Sequence, residues 1–236
     1  MTALSLDPIE KKPLATFFPG SKVLSVGTFG CNLNCPFCQN ASIAAAEKTD
    51  VQTETCSPQA LVSLAADLKT DGNIGVAFTY NEPMIGYEFV RDTAMLVKER
   101  GMKNVVVTNG SVCKETLLKV LPFIDAFNID LKGFTEEFYH MLGGDLKTVL
   151  DFITIAAKHS HIELTTLIIP NENDTPDEMR RLSSWVADVG PDIPLHITRF
   201  FPKHQMRDKL PTDIAHMRML ADIAKEKLKT VILGNV

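Results

Sequence analysis

The chain has 236 residues, 45% of them hydrophobic and 22% charged, with a net charge of −5. This is the composition of an ordinary globular protein, long enough for one domain of barrel or doubly wound size or for two small ones. No apolar run approaches the ~20 residues of a membrane span. The N-terminus lacks the basic-then-apolar order of a signal peptide, and no basic stripe offers itself to nucleic acid.

In chain order, short β-rich runs alternate with helical patterns. The runs are KVLSVGTF, NIGVAFTY, KNVVVTNG, DAFNIDLKG, HIELTTLIIP and IPLHITRFF. Between them SPQALVSLAADLKT, MIGYEFVRDTAMLVKER, KETLLKVL, TVLDFITIAAKHS and TPDEMRRLSSWVADV carry apolar residues at helical spacing. Ser57-Pro58 and Thr175-Pro176 read as N-cap and first-turn pairs. A further helix is expected after Pro211, and TVILGNV reads as a terminal strand. No repeat or long linker divides the chain, so residues 1–236 are expected to form one domain. The alternation predicts an α/β fold with a parallel sheet.

Within FNIDLKG, Asn128, Asp130 and Lys132 share one face while Phe127, Ile129 and Leu131 share the other; Glu163 and Thr165 are paired in the same way. Polar residues converging from the ends of several strands suit a barrel with its chemistry at the C-terminal mouth. The expected architecture is therefore a partial (β/α)6 TIM-like barrel rather than an open doubly wound sheet.

Three of the five cysteines, Cys31, Cys35 and Cys38, crowd into a loop spanning residues 30–40, directly after the first of these runs. A closed zinc site needs four ligands, and so does a cubane iron–sulfur cluster that only carries electrons. The six histidines all lie at position 140 or beyond, and Cys56 would have to fold back to complete such a site. A three-thiol cluster leaves one iron free for a small molecule. The spacing favours that reading over zinc, in a cytoplasmic setting where thiols stay reduced.

The spacing C-x-x-x-C-x-(aromatic)-C, with Phe37 in the aromatic place, resembles the signature of the radical S-adenosylmethionine superfamily. CNLNCPFCQN, FTYNEP, VTNG, NIDLKG and LIIPNEND are similar to segments of the activating enzymes of glycyl radical enzymes, such as pyruvate formate-lyase activating enzyme. The stretch from Asp7 to Asn40, with AFTYNEP and HITRFFP, also resembles the radical enzyme of the AmmeMemoRadiSam system. That subgroup usually carries a cysteine-containing segment ahead of the matched part. The sequence begins close to LSLDPIEKKP, which suggests the length of a compact glycyl radical activase.

The resemblance implies a 4Fe–4S cluster on Cys31, Cys35 and Cys38, with S-adenosylmethionine chelating the fourth iron and cleaved to a 5′-deoxyadenosyl radical. It places Glu82 where the superfamily usually has a Gly-Gly-Glu run meeting the methionine amino group, with Tyr80 and Asn81 in place of the glycines. Phe37, Asn40, Thr79, Asn81, Thr108, Asn109, Asp130, Lys132, Ile168 and Arg199 are the other expected cofactor neighbours. Ile168 and Ile169, with Asn171, fall where the family often packs the adenine. Phe201 stands where relatives commonly have a ribose-side His, with His204 three residues on. Val107 replaces an Asp that holds a monovalent cation in some activases. Cys56 and Cys113 are expected to be small buried thiols. The implied activity is hydrogen abstraction from a protein or peptide such as a glycyl radical enzyme, with flavodoxin or ferredoxin as electron donor. The alternatives are radical modification of a small molecule or RNA base, and a non-catalytic iron–sulfur or zinc module.

Overall fold

The expected parallel runs become strands β2 (Lys22–Gly27), β3 (Asn73–Phe78), β4 (Lys103–Thr108), β5 (Ala126–Asp130), β6 (His161–Ile168) and β7 (Leu195–Arg199), with β8 (Val231–Gly234) as the terminal strand. The computed structural model describes residues 1–236. One strand was not anticipated: β1 (Ala3–Pro8) runs antiparallel to β2 in a register from Ala3↔Gly27 to Pro8↔Lys22. Its apolar alternation is inverted, with Leu4 exposed and Leu6 half-buried while Asp7 is buried, and Pro8 closes it as suits an edge strand. All eight strands form one sheet in chain order, parallel from β2 onward. β1 and β8 do not pair, so the barrel is partial and open on one side. The expected six-unit barrel is thus present, extended by one strand at each edge.

The helices are α1 (Ala41–Ala44), α2 (Pro58–Asp67), α3 (Tyr87–Glu99), α4 (Lys114–Val120), α5 (Glu136–Met141), α6 (Leu146–Ala156), α7 (Pro176–Val189) and α8 (Ile214–Lys225). Ser57 and Thr175 accept hydrogen bonds from Ala60 and Glu178, capping α2 and α7 ahead of Pro58 and Pro176. The short α1 and α5 were not anticipated, being too brief for a periodic signal. Thr135 caps α5 by accepting from the Phe138 N–H.

Alternate strand residues, among them Leu24, Val76, Phe78, Val106, Phe127, Ile129, Leu164 and Ile197, face the helices and form the main core with them. Each such side chain contributes ~1.5–3 kcal/mol by leaving water. Gly75 is required where β3 meets β4, since a Cβ there would stand 1.8 Å from the Lys103 carbonyl oxygen. The inner face is closed toward the strands' N-terminal ends by the segment after β1. Ile9, Leu14 and Phe17 pack on Val23, Ala77, Val105 and Ala126. Glu163 fastens this segment: its carboxylate accepts from the N–H groups of Ala15 (2.9 Å) and Thr16 (2.8 Å) and contacts His196 at 2.6 Å. The Asn128 amide donates to the Pro13 carbonyl and to Thr165 Oγ1, both at 2.9 Å. Glu163 and Thr165 do share the inner face, but Glu163 serves the closed end rather than the mouth.

Candidate active site

The cysteine loop leaves β2 and is tied down along its length. Gly30, at φ +90°, donates its N–H to the Ile43 carbonyl of α1 at 2.8 Å. Asn34 donates to Leu142 O at 2.8 Å, and Gln205 donates to Pro36 O at 2.9 Å, so the segment after α5 and the one after β7 both brace the loop. Cys31, Cys35 and Cys38 are free and half-buried on it. Cys31 Sγ accepts from the Leu33 N–H at 3.4 Å and from the Asn109 side-chain amide at 3.6 Å. Burial pushes the Cys35 thiol up to about 11 against the pull of nearby Lys132, and burial raises Cys31 as well. Cys56, half-buried, packs against the helix-side core, whereas Cys113 is exposed at the start of α4, correcting the expectation of a buried thiol there.

The ends of β3, β4 and β5 meet this loop. Glu82, 2% exposed, accepts from Thr108 Oγ1 (2.7 Å) and from the N–H groups of Asn109 (2.8 Å) and Met84 (2.9 Å). Burial raises its carboxyl to about 7, opposed by those three hydrogen bonds. Asn109 also donates to Asn32 Oδ1 at 2.9 Å, a partner within the cysteine loop that the sequence did not point to. Asn81 binds the loop's entrance, accepting from the Thr28 N–H at 2.9 Å and donating to Gly30 O at 3.0 Å. The Asn40 amide donates to Tyr80 O at 2.7 Å. Thr79 is buried beside them.

Asp130 and Lys132 pair at 2.9 Å at the end of β5. Burial works against the Lys132 ammonium, but Asp130 and the nearby Cys35 outweigh it and hold its pKa above the ordinary value. Two further residues fix this corner, neither of them singled out in the sequence. The Tyr139 hydroxyl accepts from the Lys132 N–H at 3.1 Å, and the Asn173 amide donates to Lys132 O at 2.7 Å and Leu167 O at 2.8 Å. Asn173 lies within PNEND after β6, where a buried Asn bridging strand ends was a readable possibility.

Phe37 stacks on Phe138 at 6.1 Å and is buried with Leu142, Ile169 and Phe200. Strand parity turns the side chains of two expected neighbours outward. Ile168 and Arg199 are register partners on the outward face. Ile168 belongs to the helix-side core, and Arg199 donates to Thr212 O at 2.8 Å with its guanidinium 5.0 Å from the Phe201 ring centroid. Ile169, expected beside Ile168, joins the apolar group around Phe37 together with Phe200. Phe201 is 40% exposed, and His204 stands in the same brace segment with a left-handed backbone.

No three His, Cys, Asp or Glu side chains converge as the ligand set of a single ion. That suits a cluster, whose thiolates bind different irons and need not meet at one point. The sulfur-directed donors Leu33 N–H and Asn109 Nδ2, and the cation of Lys132 beside Cys35, are the surroundings thiolate ligands require. The residues present therefore fit a 4Fe–4S cluster.

An open parallel α/β barrel with a three-thiol loop after its first parallel strand and a buried carboxylate beyond the next defines a class of cluster-bearing barrel enzymes. The profile of the Radical SAM superfamily matches residues 25–183, and the chain belongs to that superfamily. Its members use a 4Fe–4S cluster and S-adenosylmethionine. The chain is 38% identical over 237 residues to "Uncharacterized protein MJ0808" of Methanocaldococcus jannaschii, covering 99% of this chain and 70% of that protein. It is 24% identical to pyruvate formate-lyase 1-activating enzyme of Escherichia coli K12, covering 68% of this chain and 67% of that one. Among solved structures, Streptococcus suis SuiB bound to precursor peptide SuiA superposes with a TM-score of 0.69 at 14% identity, covering 97% of this chain and 51% of that chain. No helix is long and apolar enough to cross a membrane.

Proposed function

We propose that this chain abstracts a hydrogen atom from a protein or peptide, in the manner of a glycyl radical activating enzyme, and acts in the cytoplasm with a flavodoxin or ferredoxin as electron donor. The observation that carries the reading is the continuous contact from Cys31 through Asn109 to Glu82, which joins the cysteine loop to the strand ends of an open-sided barrel. The similarity to pyruvate formate-lyase activating enzyme, and a fold shared with SuiB in its peptide complex, support a polypeptide guest.

When bound, the cluster and S-adenosylmethionine would supply one-electron radical chemistry for hydrogen abstraction. The chain does the rest. Cys31, Cys35 and Cys38 hold the cluster, and Asn109 and Leu33 aim N–H groups at Cys31. Glu82 presents a buried carboxylate to the ammonium of the methionine end, which favours its ionised form. The Asp130–Lys132 pair offers an ammonium for the methionine carboxylate. Thr79, Asn81 and Thr108 line the same strand ends, Asn40 closes the loop over them, and the Phe37 group keeps water from one flank. The gap between β1 and β8 leaves a side through which an extended segment can reach the mouth.

The test is anaerobic incubation of reduced enzyme and S-adenosylmethionine with glycyl radical enzymes from the same cell, followed by electron paramagnetic resonance. A glycyl doublet with stoichiometric 5′-deoxyadenosine is expected. Silence from every protein, with a small metabolite that raises 5′-deoxyadenosine formation and is itself altered, would replace this reading by small-molecule chemistry.

A further inference from the structure

Tyr80 occupies the left-handed region at φ +75°, a conformation that glycine adopts freely and a bulky aromatic does not. It does so at the turn that leads from β3 into Glu82. Its ring lies against Gly27, where a Cβ would come within 2.8 Å of Tyr80 Cδ2. Its hydroxyl donates to Asp7 Oδ2 at 2.5 Å. Lys12 Nζ stands 2.8 Å from the same Asp7 oxygen and 4.6 Å from the Tyr80 ring centroid. Asp7 and Lys12 are 5% and 2% exposed. Burying both charges is costly unless they are held together with further hydrogen bonds. Here all three side chains close on one another.

The turn they hold stitches the cysteine loop at both ends. Tyr80 O accepts from Asn40, the last residue of the loop, at 2.7 Å. Asn81 binds Thr28 and Gly30 ahead of Cys31, and the Glu82 N–H reaches Gly30 O at 3.4 Å. We propose that Asp7, Lys12 and Tyr80 are positioning residues for the cofactor site: the buried Asp7–Lys12 pair clamps Tyr80 in its left-handed turn, and the turn sets Glu82 against the cysteine loop. The N-terminal strand β1 is present at the barrel edge to deliver Asp7. The inference rests on the reading of Glu82 as the contact for the methionine end.

Removing the two charges together, as Asp7→Asn with Lys12→Met, avoids leaving either one unpaired. In the cluster-free chain, amides of residues 28–31 and 80–82 are expected to exchange about tenfold faster in this variant. After anaerobic reconstitution, the dissociation constant for S-adenosylmethionine should rise about tenfold while turnover at saturation stays within about twofold. Adding Tyr80→Gly should return both readouts to near the wild-type values, because glycine holds the turn without a clamp. Should the charge-pair variant fail to fold, Tyr80→Gly and Tyr80→Val in the native background decide. Glycine should bind S-adenosylmethionine nearly as wild type, and the β-branched residue about tenfold more weakly. The proposal is overturned if the charge-pair variant alters neither readout, if glycine does not rescue it, or if glycine harms binding as much as valine. Glu82→Ala separates the two ideas: unchanged cofactor affinity there removes the assignment of Glu82, while the exchange measurement still decides whether the clamp holds the turn.

Discussion

The backbone N–H of Asn109 donates to Glu82 Oε2 at 2.8 Å while the side chain of the same Asn109 donates to Cys31 Sγ at 3.6 Å. One residue at the end of β4 therefore couples the buried carboxylate to the cysteine loop. Asn109→Ala keeps the first bond and removes the second. Donors to sulfur favour the reduced, more negative cluster, so the variant should retain its iron with a lower reduction potential. For a hydrogen bond of ~1 kcal/mol the drop is about 40 mV, read by a potentiometric titration followed by electron paramagnetic resonance.

Alanine at Cys31, Cys35 or Cys38 should abolish the cluster, whereas alanine at Cys56 or Cys113 should leave it intact. The first three share one braced loop, while Cys56 precedes α2 and Cys113 is exposed at the start of α4. Iron and sulfide analysis after anaerobic reconstitution gives the answer. Stoichiometric tightly bound zinc in the wild type would speak against the cluster altogether.

Glu82→Ala should weaken S-adenosylmethionine binding by ~1–3 kcal/mol, the cost of one charge-assisted hydrogen bond. Equilibrium binding to the reconstituted enzyme measures it. An affinity equal to wild type would leave Glu82 a purely structural anchor for Thr108, Asn109 and Met84.

The same carboxyl predicts a pH dependence for the cluster-free chain. Its pKa stands at about 7 in the fold against an ordinary 4.5, so between those values the native state binds more protons than the unfolded one. Stability contributed by protonated Glu82 is therefore full below the lower value and is lost as pH rises through the upper one. The loss amounts to about 3 kcal/mol at most. Denaturant titrations at several pH values should show Glu82→Gln gaining on wild type across that window, and parallel curves would refute the shift.

Gly75→Ala should cost the fold more than any surface change. The added methyl carbon would stand 1.8 Å from the Lys103 carbonyl oxygen, a backbone atom that cannot move without breaking the β3–β4 pairing. The expected result is loss of ~4 kcal/mol or more, or failure to fold, measured by thermal melting of the soluble protein.

Much of the barrel was legible from periodicity. Runs such as NVVVT and AFNID pair into a parallel sheet because the residues facing the helices are apolar, and the inward set of Asn128 and Asp130 follows from a period of two. α1 and α5 escaped, being too short to show a helical period, and β1 escaped because its apolar alternation is only Leu4 and Leu6 and its buried position is an Asp. Strand parity also decided Ile168 and Arg199. Family position brought Ile168, Ile169 and Arg199 to these strand ends; the alternation along β6 and β7 turns the side chains of Ile168 and Arg199 outward and leaves Ile169, with Phe200, in the apolar group around Phe37.

By itself, the sequence determined a three-thiol loop after a strand and a chain of βα units, because ligand spacing and side-chain alternation are local properties of consecutive residues. Tertiary structure alone decided which distant groups complete the site. Asn109 meets Cys31, Asn173 holds Lys132, and Asp7 and Lys12 close on Tyr80 from the β1 edge of the sheet. These contacts span up to 78 residues of chain. Their geometry is set by barrel curvature and strand register, which no short stretch of sequence encodes.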